Sequence, residues 1–141
     1  MNGGGYGQNI AAGVEGNNIS AIITDLFYNG EVGNFDGYYG EANPPMGNFD
    51  NWGHFSQIVW KASTQVGCAT YDCGSNLANF NAPNGFFTVC NYQSAGNFGG
   101  EYADNIGASL GQSTIPGTYK VDESTINTSY CSATGQTARS S

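Results

Sequence analysis

The sequence predicts an α+β fold: one domain in which a helix packs on an antiparallel sheet of about three strands. Two patterns carry that prediction. Ile19, Ile22, Ile23, Leu26 and Phe27 fall at i, i+3, i+4, i+7 and i+8, a single apolar stripe of helical period. Residues 53–60, 66–71 and 86–92 carry strand-like runs of β-branched and aromatic residues separated by turns. Length agrees, since 141 residues suffice for one ordinary core and not for two.

Gly53-His54-Phe55-Ser56-Gln57-Ile58-Val59-Trp60 contains the only histidine and one of the two tryptophans. Read as a strand, it sets His54 and Trp60 on one face and Phe55, Gln57 and Val59 on the other. Bulk on both faces is the mark of a strand covered by two layers, so this stretch is placed at the centre of the sheet. Upstream, residues 1–18 are rich in Gly and Asn around a compact knot at Tyr6 to Ala11, and Asn17 or Asn18 caps the first helix. Gly30 weakens the end of that helix by about 1 kcal/mol relative to alanine, and Glu31-Val32 extend it by a turn. Periodicity is then lost from Phe35 to Gly53, which predicts a long loop. Ala62-Ser63-Thr64 turns the chain into the strand 66–71, a polar loop follows from Cys73 to Gly85, and 101–106 form one short turn. Twelve of the last 31 residues are Ser or Thr, so the chain divides into a domain at 1–110 and an extension at 111–141 held through Cys131.

Eleven acids face only Lys61, Lys120 and Arg139, a net charge of -8 that repels phosphate backbones and argues against a nucleic-acid partner. Cys68, Cys73, Cys90 and Cys131 form an even set without a CxxC pair, and one histidine does not complete a Cys/His zinc cage. Disulfides are expected, with three connectivities open. The sequons at Asn18 and Asn127 are candidate glycosylation sites, and together with the cysteines they favour a secreted protein. Met1 is followed by Asn-Gly-Gly-Gly rather than a basic then apolar run, and no stretch approaches ~20 apolar residues, so neither a signal peptide nor a transmembrane segment is expected.

Four stretches together resemble the CAP superfamily of cysteine-rich secretory proteins, antigen 5 and pathogenesis-related class 1 proteins, most nearly its fungal members. Residues 53–60 fit the G-H-F-[ST]-Q-hydrophobic-hydrophobic-W signature throughout, and Val66-Gly67-Cys68-Ala69 fits its continuation. Cys90-Asn91-Tyr92 with Gly96-Asn97-Phe98 resembles the second signature, departing at Thr88 and Ser94. Glu101-Tyr102-Ala103-Asp104-Asn105-Ile106 is similar to a fungal E-Y-A-E-N-V ending. The resemblance implies a three-layer α-β-α sandwich whose first helix has no counterpart upstream of Tyr6. Apolar surface that such a helix would cover must be exposed, covered by another segment or buried in a partner.

The resemblance also implies a cleft with two histidines and two glutamates. His54 matches the second histidine, Glu31 matches the second glutamate, Gln8 stands where the first glutamate belongs, and the first histidine has no counterpart. This degraded tetrad assigns no catalytic residue and no cofactor. Zinc is disfavoured, His54 and Glu31 being its weak candidates, because a catalytic zinc wants about three good donors and the amide of Gln8 is a poor one. A non-enzymatic, secreted, effector-like protein follows, with a hydrolase using Glu31 and His54 as an alternative. By resemblance its ligand is a sterol or a fatty acid, and the sterol candidates are Phe35, Tyr38, Tyr39, Met46 and Phe49. A binding or decoy module for a host or cell-wall protein is the competing reading. For the cysteines the resemblance favours Cys68 with Cys73 and Cys90 with Cys131.

Overall fold

The computed structural model describes residues 5–14, 19–74, 77, 80–82 and 84–110. Three antiparallel strands, β1 (Gly7–Ala12), β2 (Gln65–Asp72) and β3 (Phe86–Gln93), form one sheet in the order β1-β3-β2. Helix α1 (Ile19–Ala21) runs directly into a π-helical segment (Ile22–Asn29), and 3-10 turns follow at Val32–Phe35 and Met46–Asn51. Helix α2 (Gly53–Ile58) precedes β2, and α3 (Tyr102–Asn105) follows β3. The α+β class and the three-stranded antiparallel sheet are as expected. No helix among the described residues is long and apolar enough to cross a membrane. Asn17, Asn18, Asn127, Cys131 and the whole extension 111–141 lie outside the described residues.

The stretch placed at the centre of the sheet is a helix instead. Trp52, Phe55 and Ser56 are buried at i, i+3 and i+4, with Val59 half-buried and Trp60 buried one turn on. Phe55, Val59 and Trp60 join an aromatic core with Phe35, Trp52, Tyr102 and Ile106. Ile58 packs on a second core of Ala11, Ile22, Phe27, Cys90 and Tyr92. Because α2 is buried on both sides, its short apolar run has no polar face to reveal its period, and helix and strand look alike in sequence. The sheet's third strand is β1, which is built from Gly, Gln, Asn, Ile and Ala. These residues give little β-propensity, and pairing with β3 from Gly7↔Tyr92 to Ala12↔Phe87 supplies the structure.

The predicted first helix is present with a change of pitch. Ile22 and Phe27, five apart, are both 1% exposed, whereas Leu26, on the predicted stripe, is 45% exposed. Bonds from i to i+5 widen each turn, which carries Leu26 off the buried face.

Alternation assigns the two faces of the sheet. Asn9, Ala11, Thr70, Thr88, Cys90 and Tyr92 form a buried inner face beneath the α1 and π segments and α2. Thr70 and Thr88 are register partners, and their hydroxyls bond to each other in that dry layer. Ile10, Ala12, Tyr71, Phe87 and Val89 lie on the outer face, with Cys73, Leu77 and Ala82 against them.

The disulfide pairing differs from the expected Cys68–Cys73 and Cys90–Cys131. Cys68 is bonded to Cys90, its direct partner across β2 and β3, with Cα atoms 4.1 Å apart. Cys73 lies five residues further along, about 16 Å away in an extended strand, and its odd spacing turns it to the opposite face. A Cys68–Cys73 bridge is therefore incompatible with β2, and Cys90 is not available to Cys131. Cys73 is disulfide-bonded as well, and no described cysteine is free.

Candidate functional site

His54 sits in the first turn of α2, immediately after Gly53. A Cβ on Gly53 would stand 2.7 Å from the ring of Phe49, so glycine is what allows the loop to pack against the start of the helix. Three contacts fix the histidine. Its ring stacks on Phe27 with centroids 4.7 Å apart and planes 8° apart. Its carbonyl accepts from Asn9 Nδ2 at 3.1 Å, and its Nδ1 lies 2.7 Å from Glu31 Oε1. An ionised carboxylate only accepts, so Nδ1 donates and Nε2 is the nitrogen left over.

Glu31 stands at the turn that ends the π-helical segment. Its second oxygen, Oε2, accepts from the backbone N–H of Phe55 at 2.9 Å. That amide belongs to the first turn of α2, where no intrahelical partner exists, and a negative charge there also suits the helix dipole. Glu31 thus caps one helix from the end of another, and both of its oxygens are engaged. Asn9 also donates to the hydroxyl of Tyr92 at 3.2 Å. Burial pushes the Tyr92 hydroxyl up to about 12, and the bond from Asn9 pulls the other way.

The two sequence signatures are joined through side chains. Gln57 Oε1 accepts from Gly96 N at 2.8 Å, and its Nε2 donates to Ser63 Oγ at 2.9 Å. Ser56 Oγ donates to Asn97 Oδ1 at 2.6 Å, and Asn97 Nδ2 donates to the carbonyl of Gly53 at 3.0 Å. Asn97 adopts φ 62°, a conformation asparagine tolerates better than most residues. Gly7 and Gly96 both lie so close to Gln57 that a Cβ on either would collide with its side-chain amide.

An open cleft of about 300 Å³ lies beside this pair, lined by Gln8, Asn9, Phe49, Asp50, His54 and Asn97. Glu31 and His54 are in direct contact, and Gln8 lines the same cleft as His54 with its side-chain amide donating to Asn91 Oδ1 at 2.8 Å. Glu31 is spent on the fold, Gln8 is tied to Asn91, and no three His, Cys, Asp or Glu side chains converge among the described residues.

The expected sterol residues are split by the structure. Phe35 is 1% exposed at the heart of the aromatic core, 5.2 Å from Trp52 between centroids. Tyr38 and Tyr39 pack edge-on against Phe35, and Phe49 packs edge-on against Trp52. Met46 is 53% exposed. Asn9, Phe27, Asp50 and Asn97 are site residues the sequence reading did not select. Asn97 stood within the second signature, Asn9 in the knot at Tyr6 to Ala11 and Phe27 on the helical stripe, whereas nothing in the sequence marks Asp50.

An α+β domain whose G-H-F-S-Q helix and C-N-Y strand lock together beside a Glu–His pair is a CAP-type domain. Residues 2–92 match the model of the cysteine-rich secretory protein family, CAP, and the chain belongs to that family. It is 43% identical over 115 residues to a "Probable pathogenesis-related protein" of Arthroderma benhamiae, covering 82% of this chain and 37% of that one. It is 36% identical over 104 residues to Protein PRY2 of Saccharomyces cerevisiae, covering 74% and 26%, and 35% identical over 95 residues to Secreted protein RBT4 of Candida albicans, covering 67% and 22%. The chain thus spans little more than a third of the first of these relatives and about a quarter of the others.

Proposed function

We propose that this is a secreted, cofactor-free, non-enzymatic CAP module that binds a lipid, a sterol or a fatty acid, outside the cell. The observation behind the non-enzymatic part is that both oxygens of Glu31 are held by His54 Nδ1 and the Phe55 amide. Held in this way, Glu31 orients His54 rather than meeting a substrate proton itself, so His54 Nε2 is the one nitrogen of the pair left to act as a base and would need a nucleophile beside it. Among the described residues no serine or cysteine lines the cleft to act as nucleophile. The extracellular setting is supported by the Cys68–Cys90 bond and by the similarity to Secreted protein RBT4 of Candida albicans. The lipid reading is supported by the exposed Met46 and by Phe49, which packs on the aromatic core and lines the cleft. Saturable uptake of radiolabelled sterol or palmitate by the oxidised protein, lowered in Met46→Ala/Phe49→Ala, is the expected result. No saturable uptake of either lipid overturns the lipid part.

A second reading has its own support. Asp36, Glu41, Asp50, Glu101 and Asp104 are exposed, and Lys61 is the one basic residue among those described. Such a surface suits a basic host or cell-wall partner. Loss of a captured partner on deleting residues 36–49 without loss of fold is the result that favours it.

A further inference from the structure

The sheet is covered unequally. On the inner face Thr70, Thr88 and Cys90 are 0% exposed and Asn9, Ala11 and Tyr92 no more than 5%. On the outer face Phe87 is buried with Cys73 and Leu77, but Ile10, Ala12, Ala69, Tyr71 and Val89 are only half-buried, and Phe80 beside Phe87 is 38% exposed. At consecutive cross-strand positions, Ile10↔Val89↔Ala69 and Ala12↔Phe87↔Tyr71, the partly covered apolar residues surround the buried Phe87 and form one patch. A monomer rarely leaves such a patch open to water.

Cysteine chemistry indicates what covers it. Cys73 lies at the edge of this patch, 0% exposed and packed with Phe87, and it is disulfide-bonded. Cys68 and Cys90 are bonded to each other, and the chain has four cysteines, so the remaining one is Cys131. We propose that the segment 111–141 returns across the outer face of the sheet, fastened by a Cys73–Cys131 disulfide, and acts as its missing layer. The reach is ample: the chain from Leu110 to Cys131 extends to on the order of 70 Å, against a radius of gyration of about 13 Å for a domain of 100 residues. The segment also carries suitable side chains, because Ile126 and Tyr130 lie within five residues of Cys131 in an otherwise Ser- and Thr-rich stretch. The extension is then part of the fold rather than a spacer.

Two measurements on the oxidised full chain test this. Non-reducing peptide mapping of the monomer is expected to yield a Cys73–Cys131 linked peptide. Hydroxyl-radical footprinting is expected to show Ile10, Tyr71 and Val89 protected in the native chain and labelled severalfold faster in Ile126→Asp/Tyr130→Asp, a variant that keeps every cysteine. Tyr92, on the inner face, is the internal control and stays protected in both, which separates uncovering from unfolding. A Cys73–Cys131 link found only between two chains, or protection that depends on protein concentration, assigns the face to a second copy and overturns the proposal. Equal labelling of the outer face in the native chain and the variant overturns it too.

Discussion

Replacing Glu31 by alanine removes two bonds at once, and their surroundings set the magnitude. The carboxylate side chain is 13% exposed and the imidazole 35% exposed, so the Glu31–His54 pair is partly screened and contributes about 0.5–1 kcal/mol. The bond from Phe55 N–H is charge-assisted, caps the first turn of α2, and contributes about 1.5–3 kcal/mol. Together the loss is about 2–4 kcal/mol. At about 4–8 °C per kcal/mol for a domain near 100 residues, Glu31→Ala lowers Tm by roughly 8–32 °C. Glu31→Gln keeps an acceptor for Phe55 N–H but no charge, and loses about half as much. Calorimetry on oxidised protein, with tryptophan fluorescence to follow Trp52 and Trp60, reads the effect. If Glu31→Ala unfolds within about 0.5 kcal/mol of the parent, as an ordinary surface substitution does, the capping role assigned to Glu31 is wrong.

Three further outcomes follow from the packing and from the tyrosines. Gly7→Ala forces a Cβ into the amide of Gln57 and toward Ala95 Cα, and is expected to cost about 1–3 kcal/mol in urea unfolding; an unchanged midpoint refutes the close approach. Cys68→Ser/Cys90→Ser opens a link across a sequence separation of 22, and loses about 3 kcal/mol in the chain-entropy view, whereas a loss near zero means the strands are held without it. Tyr92 keeps its proton in the folded chain to about 12, while the unfolded chain loses it above its ordinary value of 10. Stability is then intact below pH 10 and falls by about 2–3 kcal/mol as pH rises to 12, and an alkaline titration of Tyr92→Phe is expected to be flatter over that window. Tyr102, whose hydroxyl is buried without a hydrogen-bond partner among the described residues and is also pushed up to about 12, acts in the same direction.

The sequence revealed the domain class and two of the three strands because β2 and β3 carry β-branched and aromatic residues in their own right. It concealed β1 and α2 for opposite reasons. β1 has almost no local preference and becomes a strand through β3, whereas α2 has bulk on all sides and hides its period. The disulfide was a register question: with Cys68 directly opposite Cys90 only after β2 and β3 pair, no spacing along the chain announces it. At the site, Glu31 and His54 were legible from the motifs that hold them. Their roles as cap and capped partner were not, because these depend on Phe55 N–H arriving beside Glu31 from 24 residues away. The links from Ser56 to Asn97 and from Gln57 to Gly96 explain in physical terms why the two signatures occur together.

The central claim is that the Glu31–His54 pair holds the fold together while the module binds lipid. Equilibrium binding of radiolabelled sterol and palmitate to the oxidised protein and to His54→Ala, with esterase and protease assays on the same samples, tests it most directly. The predicted result is saturable lipid binding of similar affinity in both proteins, with no hydrolysis by either. Hydrolysis by the parent that disappears in His54→Ala, or the absence of saturable lipid binding in the parent, contradicts it.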